Sequence, residues 1–194
     1  MPKKGYFQKL YKFEAKNQHY LIEVSLDDYD DVYDSWDPSP FKRRDIEDEF
    51  HDYILNSSED IPLKYKLSII LYLPLEKKNE GKEKALISAY RNYYSYTLAR
   101  FAKNMKKLRQ KNIYSLFMSI VFLSIGYYWG SRVSSVLLKV VQEGIFIGGW
   151  VFLWDFFTDI FITRRKHFEE YKLYERLYQA DLRFVYRDNA GNIV

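Results

Sequence analysis

The carboxylates Glu143, Asp155 and Asp159, together with Lys139, interrupt an otherwise apolar run from Val136 to Ile162. A charged side chain at membrane depth costs about 2.5–3.5 kcal/mol on insertion scales, so such a residue marks an ion pathway or a paired structural charge. Lys139 stands one helical turn before Glu143 and can neutralise it. Asp155 follows Trp154 near the end of the run, within reach of basic residues that lower its cost. At 100° per residue, Asp155 lies about 20° from Gly144 and about 20° from Gly148 on the other side. Asp155 is therefore expected to face protein and not lipid.

Other chemistry is sparse. There is no cysteine, which removes disulfides, thiolate metal sites and thiol nucleophiles. His19, His51 and His167 share no ligand spacing, so no metal site is assigned to them. The acidic stretch Asp27, Asp28, Asp30, Asp31 and Asp34 fails as a calcium loop. Counted from Asp28, it has Tyr33 where glycine is needed and Ser39 where a bidentate glutamate belongs. No P-loop, G-x-S-x-G or H-E-x-x-H pattern occurs. We therefore expect no catalytic residue, no cofactor and no enzyme activity.

The elements that must position the acids come next. Residues 112–131 are twenty consecutive positions without a charge, enough at 1.5 Å per residue to span a hydrocarbon layer of about 30 Å. Tyr127, Tyr128 and Trp129 suit an interfacial aromatic belt at one end. A second span is expected at 136–157, joined to the first by an external loop at 132–135 too short for anything but a chain reversal. Lys103, Lys106, Lys107, Arg109 and Lys111 precede the pair, and Arg164, Arg165 and Lys166 follow it. By the positive-inside rule both termini are cytoplasmic, in a multi-pass protein of the cytoplasmic membrane. These cations also account for the net charge of +4, and no nucleic-acid partner is inferred. The opening residues lack the apolar core of a signal peptide.

Small residues suggest how the spans pack. Ser115 with Ser119, Gly126 with Gly130, and Gly144 with Gly148 form small-xxx-small pairs that allow close backbone approach.

The remainder, 1–111 and 158–194, is expected to be a cytosolic α/β part. Period-two patterns at Tyr20–Leu26, Leu63–Leu73 and Leu182–Tyr186 predict strands from both sides of the hairpin in one short mixed sheet. Helices are expected over about 43–56, over 83–111 running into the first span, and around 168–178. A turn is expected at Asp188-Asn189-Ala190-Gly191. The fold class is thus α+β, a transmembrane hairpin plus a small sheet with amphipathic helices.

Three short stretches add to this. Trp36-Asp37-Pro38-Ser39-Pro40-Phe41 with Arg44-Asp45, then Gly148-Gly149-Trp150-Val151-Phe152-Leu153-Trp154-Asp155, then Arg176-Leu177-Tyr178-Gln179-Ala180, give a chain that resembles an uncharacterised group of small bacterial two-helix membrane proteins. The resemblance implies the architecture and no activity.

Two functions fit these observations. The first is a non-enzymatic membrane-anchored assembly or regulatory module that oligomerises, or binds a membrane or cytosolic protein, through its hairpin and sheet. The second is an oligomeric ion channel or membrane-disrupting effector in which Glu143, Asp155 and Asp159 line the pathway.

Overall fold

A computed structural model describes residues 6–38, 45–130, 135–188 and 193. The fold is α+β, with a four-stranded mixed sheet and two helices long and apolar enough to cross a membrane. The residues divide into two compact units, Met1–Ala99 with Tyr171–Val194, and Arg100–Glu170.

The α/β unit opens with a single helical turn, α1 (Phe7–Leu10), and a hairpin of β1 (Lys12–Glu14) with β2 (His19–Ser25). Gln18 in its turn has φ 57°, a left-handed conformation uncommon outside glycine. Helix α2 (Asp48–Asp60) leads to β3 (Lys66–Pro74), and β4 (Asp181–Arg187) closes the sheet. The order is β1-β2-β3-β4, with β2, β3 and β4 mutually parallel and β1 antiparallel to β2.

The expected strands are present, with shifted ends. Residues 63–65 do not join β3, because the Tyr65 N–H turns back to the Pro62 carbonyl at 3.0 Å. β1 was not expected, since three residues are too few to show a period. Helix α2 was expected over 43–56 but runs to Asp60, and Ile46 pairs with Tyr33 in an isolated bridge instead of joining the helix. Arg43 and Arg44 lie outside the described residues, as do Ser39, Pro40 and Phe41, most of the 188–191 turn, and most of the 132–135 loop.

One sheet face is the core. Tyr20 and Ile22 of β2, Leu67, Ile69, Leu71 and Leu73 of β3, and Leu182 and Tyr186 of β4 pack with Phe50 and Ile54 of α2. Leu86, Tyr90 and Tyr94 come from the first part of α3 (Glu80–Gly130), and Leu177 from α5 (Arg164–Gln179). The opposite face mixes apolar side chains such as Ile70 with polar pairs: Lys12 pairs with Glu23 at 2.9 Å, Tyr72 donates to Glu23 at 2.6 Å, and Arg183 pairs with Glu14 at 2.9 Å. The acidic loop folds as a short 3₁₀ turn, where Asp28 meets Lys77 at 2.7 Å and Lys82 at 3.2 Å. Hydrogen bonds from these ammonium groups pull the Asp28 carboxyl down to about 2.

Helix α3 is one continuous helix of 51 residues. Its start is set by Asn79, whose side-chain oxygen accepts from the Gly81 and Lys82 N–H groups at 2.9 and 3.1 Å, satisfying donors that a helix N-terminus leaves open. Helix α4 (Val136–Thr158) continues through a π-helical turn, Asp159–Thr163, into α5. Such a turn inserts one residue into the ladder and re-aims the side chains around it.

Candidate functional site

Within the helical unit, α3 brings Lys111, Ser115 and Ser119 onto one stripe at four-residue spacing, and Asp155 and Asp159 share a stripe across from it. Lys111 Nζ donates to Asp155 Oδ1 at 3.0 Å, and Ser115 Oγ donates to Asp155 Oδ2 at 2.9 Å. Lys111 Nζ also lies 3.0 Å from Asp159 Oδ2, an ion-pair contact whose geometry falls short of a hydrogen bond. One ammonium thus serves two carboxylates, leaving the cluster with a formal charge of −1 by counting one cation against two anions. Asp159 begins the π-helical turn and its side chain is only 8% exposed, against 39% for Asp155.

The cluster continues inward along α3. Asn112, Ser115 and Ser119 are all buried, and neither Asn112 Oδ1 nor Ser119 Oγ has a partner among the described residues. Beyond them the contact becomes close and apolar. A Cβ added to Gly126 would come within 3.1 Å of Phe146, and one on Gly148 within 3.3 Å of Phe122. Phe122 and Phe152 meet edge to face with centroids 5.6 Å apart. Gln142 Nε2 donates to the Gly126 carbonyl at 3.1 Å.

Several expected residues therefore come together: Asp155, Asp159, Ser115, Ser119, Gly126 and Gly148. Lys111, expected at a membrane surface, is half exposed and also joins the two carboxylates of the cluster. Gly144 departs from its expected role, for a Cβ there meets nothing within 4 Å. The closest approach is at Gly149, where a Cβ would fall 2.8 Å from Leu123 Cγ. Gly149 is about 100° around the helix from Gly148, so the small-xxx-small spacing of Gly144 and Gly148 pointed to the edge of the packed face. Gly130 ends α3, and its packing lies outside the described residues. Asn112 and Gln142 were missed because amides at these positions carry no spacing signal.

Glu143 lies apart from the cluster. It is exposed on the same side of α4 as Trp150 and Trp154, which are 54% and 74% exposed. Lys139 is exposed as well, and no ion pair joins it to Glu143 among the described residues. Lys103, Lys106, Lys107, Arg109, Arg164, Arg165 and Lys166 are also exposed, and Arg165 pairs with Glu169 at 3.0 Å.

The chemistry this arrangement offers is charge neutralisation between helices. Among the described residues no thiol or imidazole is paired with these carboxylates, and no group of His, Asp and Glu gathers as a metal site. The chain matches no family model, no curated protein and no solved structure. Function must therefore be argued from the chemistry of these residues.

Proposed function

We propose that the chain is a non-enzymatic module of the cytoplasmic membrane, held by its two apolar helices as a hairpin with both termini in the cytoplasm, that assembles with copies of itself through the outer side of α4. The observation that carries this reading is Glu143 with Trp150 and Trp154 on an exposed helix face. Around them Val140, Ile147 and Val151 are each 61–62% exposed, a surface suited to hydrocarbon. A carboxylate left facing that solvent costs about 2.5–3.5 kcal/mol, and contact with polar groups of a second copy removes the cost. The cations before α3's apolar part and after α4 support the orientation, each worth about 1 kcal/mol at an anionic leaflet.

The test is the mass of the purified protein in nanodiscs. A discrete multiple of 23.5 kDa is expected, falling to the single-chain mass in Glu143→Leu. A single-chain mass at every concentration tested would remove the basis for self-assembly.

A second reading, an ion-conducting assembly, draws on the buried Asn112 and Ser119 oxygens, which have no partner among the described residues. Against it stands Lys111, whose ammonium contacts both acids that would line the pathway and offsets one of their two charges. Cation flux into liposomes that disappears in Asp155→Asn would favour this second reading over the first.

A further inference from the structure

At the edge of the α/β unit where β2 and β3 begin, a cleft of 410 Å³ opens between the start of those strands and α5. Its walls carry Lys64, Lys66, Lys172 and Arg176 against a single carboxylate, Glu175. Glu175 is engaged by Lys172 at 2.7 Å. Lys64 lies over the Tyr65 ring at 4.9 Å, and no carboxylate among the described residues pairs with Lys64 or Lys66. Counting four cations and one anion, the lining holds a formal charge of +3.

Arg176 is the unusual member. Its residue is only 8% exposed, and its guanidinium donates to the Ile61 and Pro62 carbonyls at 2.8 and 3.1 Å, to Ser58 Oγ at 2.8 Å and to the Ser58 carbonyl. These contacts close the C-terminal end of α2, where a helix leaves carbonyls without partners. They are all neutral, and Nε has no partner among the described residues. A neutral amide could cap carbonyls as well, so capping explains the hydrogen bonds but not a buried full charge. Burial pulls the Arg176 pKa down to about 10, which still leaves it cationic at neutral pH. A buried cation that meets no carboxylate among the described residues, lining a cleft together with two exposed lysines that meet none either, is arranged for an anion that arrives from outside.

We propose that this cleft is a binding site for a phosphomonoester, with Lys64 and Lys66 contacting the phosphate and Arg176 supplying the field behind it. A dianion suits a lining of +3, and the volume admits a phosphate with a few attached carbons, within the usual range for small-ligand sites. The phosphate could belong to a soluble metabolite or to a lipid headgroup.

The full chain in phosphatidylcholine nanodiscs is titrated with glycerol 3-phosphate, with ³¹P line broadening as the readout. Saturable binding is expected in the wild-type chain, weakened about tenfold or more, or roughly 1.4 kcal/mol, in Lys64→Glu/Lys66→Glu. Both lysines are exposed, so this variant tests the site without disturbing the core. Repeating the titration in nanodiscs containing phosphatidic acid separates the sources. Weaker apparent binding there assigns the site to a headgroup, and unchanged binding assigns it to a soluble ligand. Absence of saturable binding, or equal binding by the double variant, overturns the proposal. Neither result depends on oligomeric mass, so the site and the self-assembly reading fail separately.

Discussion

In the α/β unit Ile22, Ile54, Ile69 and Leu71 are fully buried, whereas in the helical unit Ile113, Ile120, Ile147 and Val151 are more than half exposed and Asn112, Ser115, Ser119 and Asp159 are hidden. The same kinds of side chain are sorted in opposite directions. In water, burying an apolar side chain of this size contributes about 1.5–3 kcal/mol, so isoleucines go inside. In hydrocarbon that drive is gone, and close packing and polar satisfaction between helices take over. The helices of the second unit are long and apolar enough to cross a membrane, and their outward apolar and inward polar side chains are the sorting that a hydrocarbon solvent would favour.

The sharpest way to break this comparison is to delete the same atoms in both units. Ile69→Ala empties a fully buried position and is expected to cost about 2–5 kcal/mol. Ile120→Ala, at a position 57% exposed, is expected to stay within about 0.5 kcal/mol for the protein in nanodiscs. Urea unfolding followed by tryptophan fluorescence and limited proteolysis measures both. Equal losses would mean that Ile120 is packed against protein and that the helical unit has an ordinary core.

A pair of glycines sharpens the packing half of the comparison. Gly149→Val places a side chain where a Cβ alone already lies 2.8 Å from Leu123 Cγ and 3.0 Å from the Leu123 backbone nitrogen. Overpacking of this kind costs about 1–3 kcal/mol, read as a lower melting temperature in mild detergent. Gly144→Ala meets open space and is expected to leave that temperature unchanged. A loss at Gly144 equal to that at Gly149 would place the helix contact where the sequence spacing suggested and not where the structure shows it.

That pair also shows what was legible and what was not. Alternation at Tyr20–Leu26, Leu63–Leu73 and Leu182–Tyr186 revealed the strands because one sheet face is apolar throughout. Nothing local encoded that β2, β3 and β4 run parallel, since parallel pairing depends on crossovers through α2 and through the helices between β3 and β4. The uncharged 112–131 stretch and the acids of α4 were evident from composition. The partnership of Lys111 with Asp155 was not, because it joins residues 44 positions apart. Gly149 was passed over because a spacing rule identifies a helix stripe only to within the width of its small-residue pair.

The smallest expected effect lies at a buried histidine of the α/β unit. His51 is 7% exposed, with Nδ1 3.1 Å from the Tyr94 hydroxyl and Nε2 3.4 Å from the Tyr174 hydroxyl, and it packs on the ring of Tyr93. Burial lowers its pKa, and the nearby Asp52, Asp48 and Asp45 offset only part of that shift. Desolvation by the same surroundings pushes the Tyr93 phenol up to about 12. The unfolded chain, with a histidine near 6.5, then binds the proton more readily than the folded chain. Stability from neutral His51 is complete above about pH 6.5 and declines as the pH falls from there towards the lowered folded value, by at most about 1.4 kcal/mol per pH unit. The expected result is a wild-type melting temperature that drops between pH 7 and pH 5 and a flatter profile in His51→Gln, whatever that variant's absolute stability. Parallel profiles would show that the ring is not kept neutral by its burial.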